Sequence, residues 1–60
     1  MKKLYEFGKG LKTAVVYECD VLGCSYCLEM FHTDSPNQKD VNFLRSEKSV
    51  LDVMNNFFNN

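Results

Sequence analysis

Tryptophan is absent from this 60-residue chain, and proline and histidine each occur once. Apolar runs are also short: none approaches the roughly 20 residues that a membrane span needs. The first residues, Met-Lys-Lys-Leu, are not followed by the apolar stretch of about 7–15 residues found in a secretory signal peptide. We therefore expect a cytoplasmic protein that has no membrane partner.

The chain has little of what a catalytic site requires. The glycine pair in Gly8-Lys9-Gly10 is too short for a phosphate-binding loop. His32 is the sole imidazole, and a chain of this length has little volume for a pocket in which a cysteine and a histidine could act together. We expect a non-enzymatic protein with no catalytic residues.

A large net charge is also lacking: charged residues make up 25% of the chain, but they nearly balance to a net charge of −1. Charge is unevenly distributed, however: residues 1–12 carry a net charge of +3 and the remainder −4. Lysines on an edge strand discourage aggregation, which is one interpretation of the basic segment. The alternative is a nucleic-acid site, in which lysines follow phosphates and an aromatic ring stacks on bases. Its candidate residues are Lys2, Lys3, Lys9, Lys12 and Tyr5.

What the chain does have is apolar material, at 45% hydrophobic and 13% aromatic residues, so we expect it to fold. A chain of this size buries only about 60% of the surface exposed when it is unfolded. Stable chains this short are usually supported by a metal, a disulfide or a partner subunit. The odd cysteine count of three disfavours a complete disulfide framework.

Two hairpins are predicted in the first half of the chain. Residues 2–7 and 11–20 read as strands around the Gly8–Gly10 turn, and a three-residue loop would place Glu6 opposite Lys12. A turn over residues 20–23 then leads into a third strand over 24–33.

The register of the second hairpin stays open. A loop of two or four residues places Val15, Tyr17 and Cys19 on the face of Leu28, whereas a three-residue loop pairs Val16 with Leu28. A shift of one residue exchanges the two faces of a strand.

The second half of the chain predicts a helix. Residues 41–45 fit either a fourth strand, slightly favoured, or the start of a long helix over about 36–58 capped by Ser35. Helical spacing of apolar residues and a capping box from Ser49 to Asp52 predict a C-terminal amphipathic helix. That apolar stripe consists of Val50, Leu51, Met54, Phe57 and Phe58. The predicted fold is a single α+β domain over 1–60, an antiparallel meander of three or four strands with one helix on one face.

One cluster suggests metal chemistry. Cys19, Cys24, Cys27 and His32 lie within 14 residues, and thiolates with an imidazole form the tetrahedral ligand set that zinc prefers. However, side chains alternate along a strand, so Cys27 and His32 would point to opposite faces of the third strand. Buried thiols without any cofactor are the main expectation, and one structural zinc ion is the alternative.

These observations favour an interaction protein. We expect a small regulator or inhibitor, of the kind that phages and mobile elements encode, which binds a larger protein and forms a homodimer. Val53, outside the apolar stripe, and the adjacent Phe57 and Phe58 are the candidate interface residues. A nucleic-acid-binding module and a zinc-stabilised mini-domain are the alternatives.

Overall fold

A computed structural model describes residues 2–21 and 23–60. Four antiparallel strands form one sheet in the order β1-β2-β3-β4, followed by a helix. The predicted α+β meander with a C-terminal helix is confirmed, and the fourth strand is present. The elements are β1 Lys2–Lys9, β2 Lys12–Glu18, β3 Tyr26–His32, β4 Ser35–Leu44 and α1 Glu47–Phe58.

The alternative of one long helix over residues 36–58 is wrong. Pro36 lies within β4, an edge strand of the sheet. An edge strand accommodates proline because an N–H on its outer side makes no ladder hydrogen bond.

The first hairpin turns later than predicted. Lys9 pairs with Lys12 and Glu6 pairs with Val15, so the expected pairing of Glu6 with Lys12 is wrong. The turn lies at Gly10, whose φ of 63° is in the left-handed region that favours glycine. Because of this register, Phe7 lies opposite Ala14. It therefore projects from the same face of the sheet as Ala14.

The second hairpin adopts the pairing of Val16 with Leu28, one of the two registers left open. The predicted turn over 20–23 includes Leu22, which lies outside the described residues; next to it, the Cys24 N–H donates to the Val21 carbonyl over 2.9 Å. This register places Ala14, Val16, Leu28 and Met30 on one face, where they form the core with Val50 and Met54 of α1.

The helix begins three residues earlier than its predicted capping box. Ser46 is the N-cap, and its Oγ accepts a hydrogen bond from the Ser49 N–H over 3.2 Å. The side of α1 that contacts the sheet is also rotated relative to the predicted apolar stripe: Val53 is partly buried, whereas Leu51 is 52% exposed. The sheet-facing residues therefore start at Val50 and follow the i, i+3, i+4, i+7 spacing of a surface helix.

A lysine from β2 holds the end of α1. The last turn of α1 contains no basic residue. Lys12 Nζ donates to the Phe57 carbonyl over 2.8 Å and also to the Asn60 carbonyl, and it lies 5.3 Å from the centroid of the Phe57 ring. A cation at this position satisfies carbonyls that the helix leaves free and complements its dipole.

We expect Leu28→Ala to lower the free energy of unfolding by about 2–5 kcal/mol, because Leu28 is fully buried between sheet and helix. The matched control is Leu51→Ala, which removes the same atoms from an exposed position and is expected to change stability by no more than about 0.5 kcal/mol. Urea denaturation followed by circular dichroism measures both. Equal losses in the two variants would contradict this packing.

Candidate functional site

The helix covers only part of one sheet face. Helix α1 makes its main contacts with β3 and β4, while every residue of β1 is exposed. A helix with its side chains is about 10 Å across, whereas four strands spaced by about 4.8 Å present roughly twice that width. A groove therefore lies between β1 and α1.

The groove has an apolar lining and a volume of about 530 Å³. Its most exposed apolar side chains are Phe7 at 50%, Leu51 at 52% and Tyr5 at 37%. The rings of Phe7 and Phe58 meet edge to face with 5.0 Å between centroids, which joins the two walls. The lining residues are Tyr5, Glu6, Phe7 and Lys9 from β1 and Leu51, Asp52, Met54, Asn55, Phe58 and Asn59 from α1.

Charged side chains stand around the groove. Lys9 stands beside Lys12 near the C-terminal end of α1. At the other end, burial, with a smaller contribution from the negative charge of Glu47, raises the pKa of the Tyr5 hydroxyl. Asp52 adds a second carboxylate on the α1 wall, where it accepts a hydrogen bond from Lys48 over 3.0 Å.

The predicted nucleic-acid residues are distributed over separate places. Lys12 is bound to the end of α1, and Lys3 forms an ion pair with Glu6 over 2.7 Å. Lys9 lines the groove together with Tyr5, while Lys2 lies at the opposite end of β1. The described contacts thus give the nucleic-acid hypothesis no additional support, and it stays a prediction.

The predicted zinc ligands are also divided. Cys27 lies near the start of β3 and His32 at its end, five residues apart, which corresponds to about 17 Å along a strand. Cys19 is buried and Cys24 is half-buried in the connection before β3. Among the residues that the structure describes, no group of three or more His, Cys, Asp or Glu side chains is placed to hold a metal ion.

Cys27 is a buried thiol, with 1% of its surface exposed. Burial raises the pKa of this thiol above its usual 9.0, and the neighbouring Cys19 and Glu29 raise it further. Because the thiolate is the nucleophilic form, this environment favours a packing role for Cys27 over a reactive one.

The candidate interface residues lie on both sides of the α1 packing surface. Val53 and Phe57 pack against the core of their own chain, and Phe57 also meets the His32 ring with 5.9 Å between centroids. Phe58 contacts the core and lines the groove. Sequence reasoning missed the two exposed apolar residues that define the site, Phe7 and Leu51. The sequence did carry a signal for Phe7: it is two residues from Tyr5 on a predicted strand, and residues at this spacing lie on the same face of a sheet.

Comparisons of this chain with protein-family models, curated proteins and solved structures found no match. Within the described part of the chain, no helix has the length and apolar character needed to span a membrane.

We expect metal to have no effect on folding, because the four candidate ligands are divided between two ends of β3. Thermal unfolding in excess chelator and with one equivalent of zinc is expected to give the same midpoint. Native mass spectrometry provides the second measurement. A bound zinc ion whose removal unfolds the chain would overturn this expectation.

Stability is expected to fall as the pH rises above about 9, partly through Cys27. Because the pKa of the Cys27 thiol is raised in the folded chain, the unfolded chain loses this proton first as the pH rises. The stabilising contribution of Cys27 is complete below the pKa of the unfolded state and is lost as the pH rises through the pKa of the folded state.

Urea denaturation of wild type and Cys27→Ala between pH 8 and about 11 measures the effect, and the variant is expected to show the shallower decline. The difference between the two slopes isolates Cys27 from Tyr5, whose pKa is also raised. Cys24→Ala serves as the matched control. Parallel curves for wild type and Cys27→Ala would contradict the assignment.

Proposed function

We propose that this chain is a small non-enzymatic interaction protein that binds a larger cytoplasmic protein through the groove between β1 and α1. The observation that carries the proposal is the meeting of exposed apolar side chains from two elements, Phe7 and Leu51, in one concave surface. Such surfaces mark sites of association more often than isolated exposed residues do.

Burial of this groove provides the driving force for association. Covering apolar surface contributes about 25 cal/mol per Å² removed from water. Aromatic side chains are enriched at protein interfaces, and this groove contains three: Tyr5, Phe7 and Phe58. A partner that covers the groove therefore buries the apolar surface that α1 leaves exposed.

The ionisable groups around the groove support binding over catalysis. The carboxylate of Glu6 is held by Lys3 over 2.7 Å, and that of Asp52 by Lys48 over 3.0 Å. Both are therefore engaged at the rim. A chain that blocks a surface of its target acts as a regulator or inhibitor without any chemical step, which is the role we propose.

Site-specific photo-crosslinking in the source cells tests the proposal. A photoreactive residue replacing Leu51 is expected to give a discrete cross-linked product with a larger protein. The matched control is the same residue at Val41, which has similar exposure, 48%, but lies outside the groove. That control is expected to give no such product.

Two results would contradict the proposal. One is the absence of any product from position 51. The other is a product of twice the 7.0 kDa mass of the chain, since that would show self-association through the groove.

A further inference from the structure

The two edge strands of the sheet differ in how well their outer sides are protected. Among the residues that the structure describes, β4 has a partner strand on one side only, β3. From Asp40 to Leu44 its pairing with β3 is regular over five consecutive residues. The N–H and C=O groups on the outer side of such a strand form a template for pairing with another strand.

The edge of β1 is protected against a further strand. Its register with β2 shifts between Lys3 and Tyr5, and lysines occur at both ends of the strand. Bulges and lysines are features by which edge strands avoid pairing. The corresponding features of β4, a register shift and Pro36, lie before Asp40. The segment Asp40–Leu44 therefore has a regular outer edge without them.

The same segment carries two exposed apolar side chains, Val41 at 48% and Phe43 at 52%. Their partners on β3 are Glu29 and Cys27, which alternate with the core residue Leu28. Because side chains alternate along a strand, Val41 and Phe43 lie on the sheet face opposite α1. A strand laid along β4 would cover the outer side of both.

A second copy of this chain supplies a matching strand. When two copies of Asp40–Leu44 pair antiparallel about a two-fold axis at Asn42, all five residues are paired. Val41 of each copy then lies opposite Phe43 of the other, and the two Asn42 side chains face each other. An aromatic and a β-branched residue form a favourable cross-strand pair. A contact of this kind is self-complementary and closes after two copies.

The charges at the ends of the segment also match a second copy. Asp40 and Arg45 are exposed, and within the described part of the chain neither takes part in an ion pair. Antiparallel pairing places Asp40 of one copy beside Arg45 of the other, whereas parallel pairing would place each charge beside its like. Lys39 is held over β3, where its Nζ lies 3.5 Å from Glu29 Oε1.

From this edge we infer that two copies of the chain associate through Asp40–Leu44 of β4, antiparallel about an axis at Asn42, and form one continuous sheet. The groove beside β1 lies at the opposite edge of each sheet, so the dimer presents two open grooves to a partner. Five paired residues per copy form a small interface, and we expect a dissociation constant on the order of 100 micromolar.

Sedimentation equilibrium over about 10 micromolar to 1 mM tests the dimer. We expect reversible association to twice the 7.0 kDa mass of the chain. Phe43→Lys places a lysine on the edge and is expected to weaken association at least about tenfold. The matched control is Leu11→Lys, at an apolar residue that is 61% exposed and lies outside β4, and it is expected to leave the dissociation constant unchanged.

Circular dichroism checks that both variants fold. Two results would overturn the inference: a wild-type chain that stays monomeric at the highest concentration, and a folded Phe43→Lys variant that dimerises as well as wild type.

Exchange of the two end charges tests the register. Asp40→Lys and Arg45→Asp are each expected to weaken association about fivefold, because each sets like charges side by side at both ends of the contact. The double variant restores opposite charges with their positions exchanged, and it is expected to regain the wild-type dissociation constant. Independent losses without recovery would contradict the antiparallel register.

Isotope-filtered NMR on a mixture of labelled and unlabelled copies identifies the contact directly. We expect cross-chain signals between the Val41 methyl groups and the Phe43 ring. Tyr17 and Phe31 lie on the sheet face opposite α1, since they pair with Cys27 and Thr13. Cross-chain signals from Tyr17 and Phe31 instead would show that the two sheets stack face to face, and edge pairing would be wrong.

The outcomes separate this inference from the proposed function. In the photo-crosslinking experiment, position 41 is expected to give a product of twice the chain mass, because Val41 lies in the dimer contact. A larger protein captured from position 41 would show that a foreign strand occupies this edge, and self-pairing would be wrong. A monomer that cross-links a larger protein from position 51 would keep the function without the dimer. A dimer that gives no product from position 51 would keep the dimer and contradict the function.

Discussion

The contact between α1 and the central strands is the constraint on which the rest of the structure depends. Val50 and Met54 close over Leu28 and Met30, and this interface contains most of the fully buried apolar surface. The helix packs on the core side chains of β2 and β3 and contacts β4, so of the four strands only β1 lies beyond it. Both the stability of the core and the exposure of β1 follow from this one geometry.

The groove is a consequence of that incomplete cover. Phe7 and Leu51 remain in solvent because the sheet is wider than α1, and Lys12 fixes the end of the helix through the Phe57 carbonyl. The accessible surface of 4186 Å² is close to the roughly 4,000 Å² expected of a compact monomer of this mass. Exposed apolar side chains also occur elsewhere, as at Val41 and Phe43 of β4, but in the groove Phe7 and Leu51 from two different elements line one concave surface.

Local rules predicted the elements well and the site poorly. The Val15–Tyr17 run predicted β2, and the apolar spacing after Ser49 predicted α1, since both depend on periodicities of 2 and 3.6 residues. The sequence predicted that Leu51 faces the sheet and that Val53 lies outside the apolar stripe, and the structure shows the reverse. The apolar stripe of a helix is wider than its line of contact with the sheet, and only packing decides which residues lie at the centre of that contact. The cysteines and His32 were close in sequence, but an extended β3 separates Cys27 from His32.

The sequence by itself determined the first three strands, the C-terminal helix and the antiparallel connection of neighbouring strands, because short loops and alternating apolar residues leave few other arrangements. It left residues 41–45 open between a strand and a helix. Tertiary structure alone decided the register, which rests on the position of the turn at Gly10 and on the pairing of Val16 with Leu28. A shift of one residue would have turned Tyr5 and Phe7 to the other face. The groove exists because long-range pairing, which local patterns do not specify, placed those two rings beside α1.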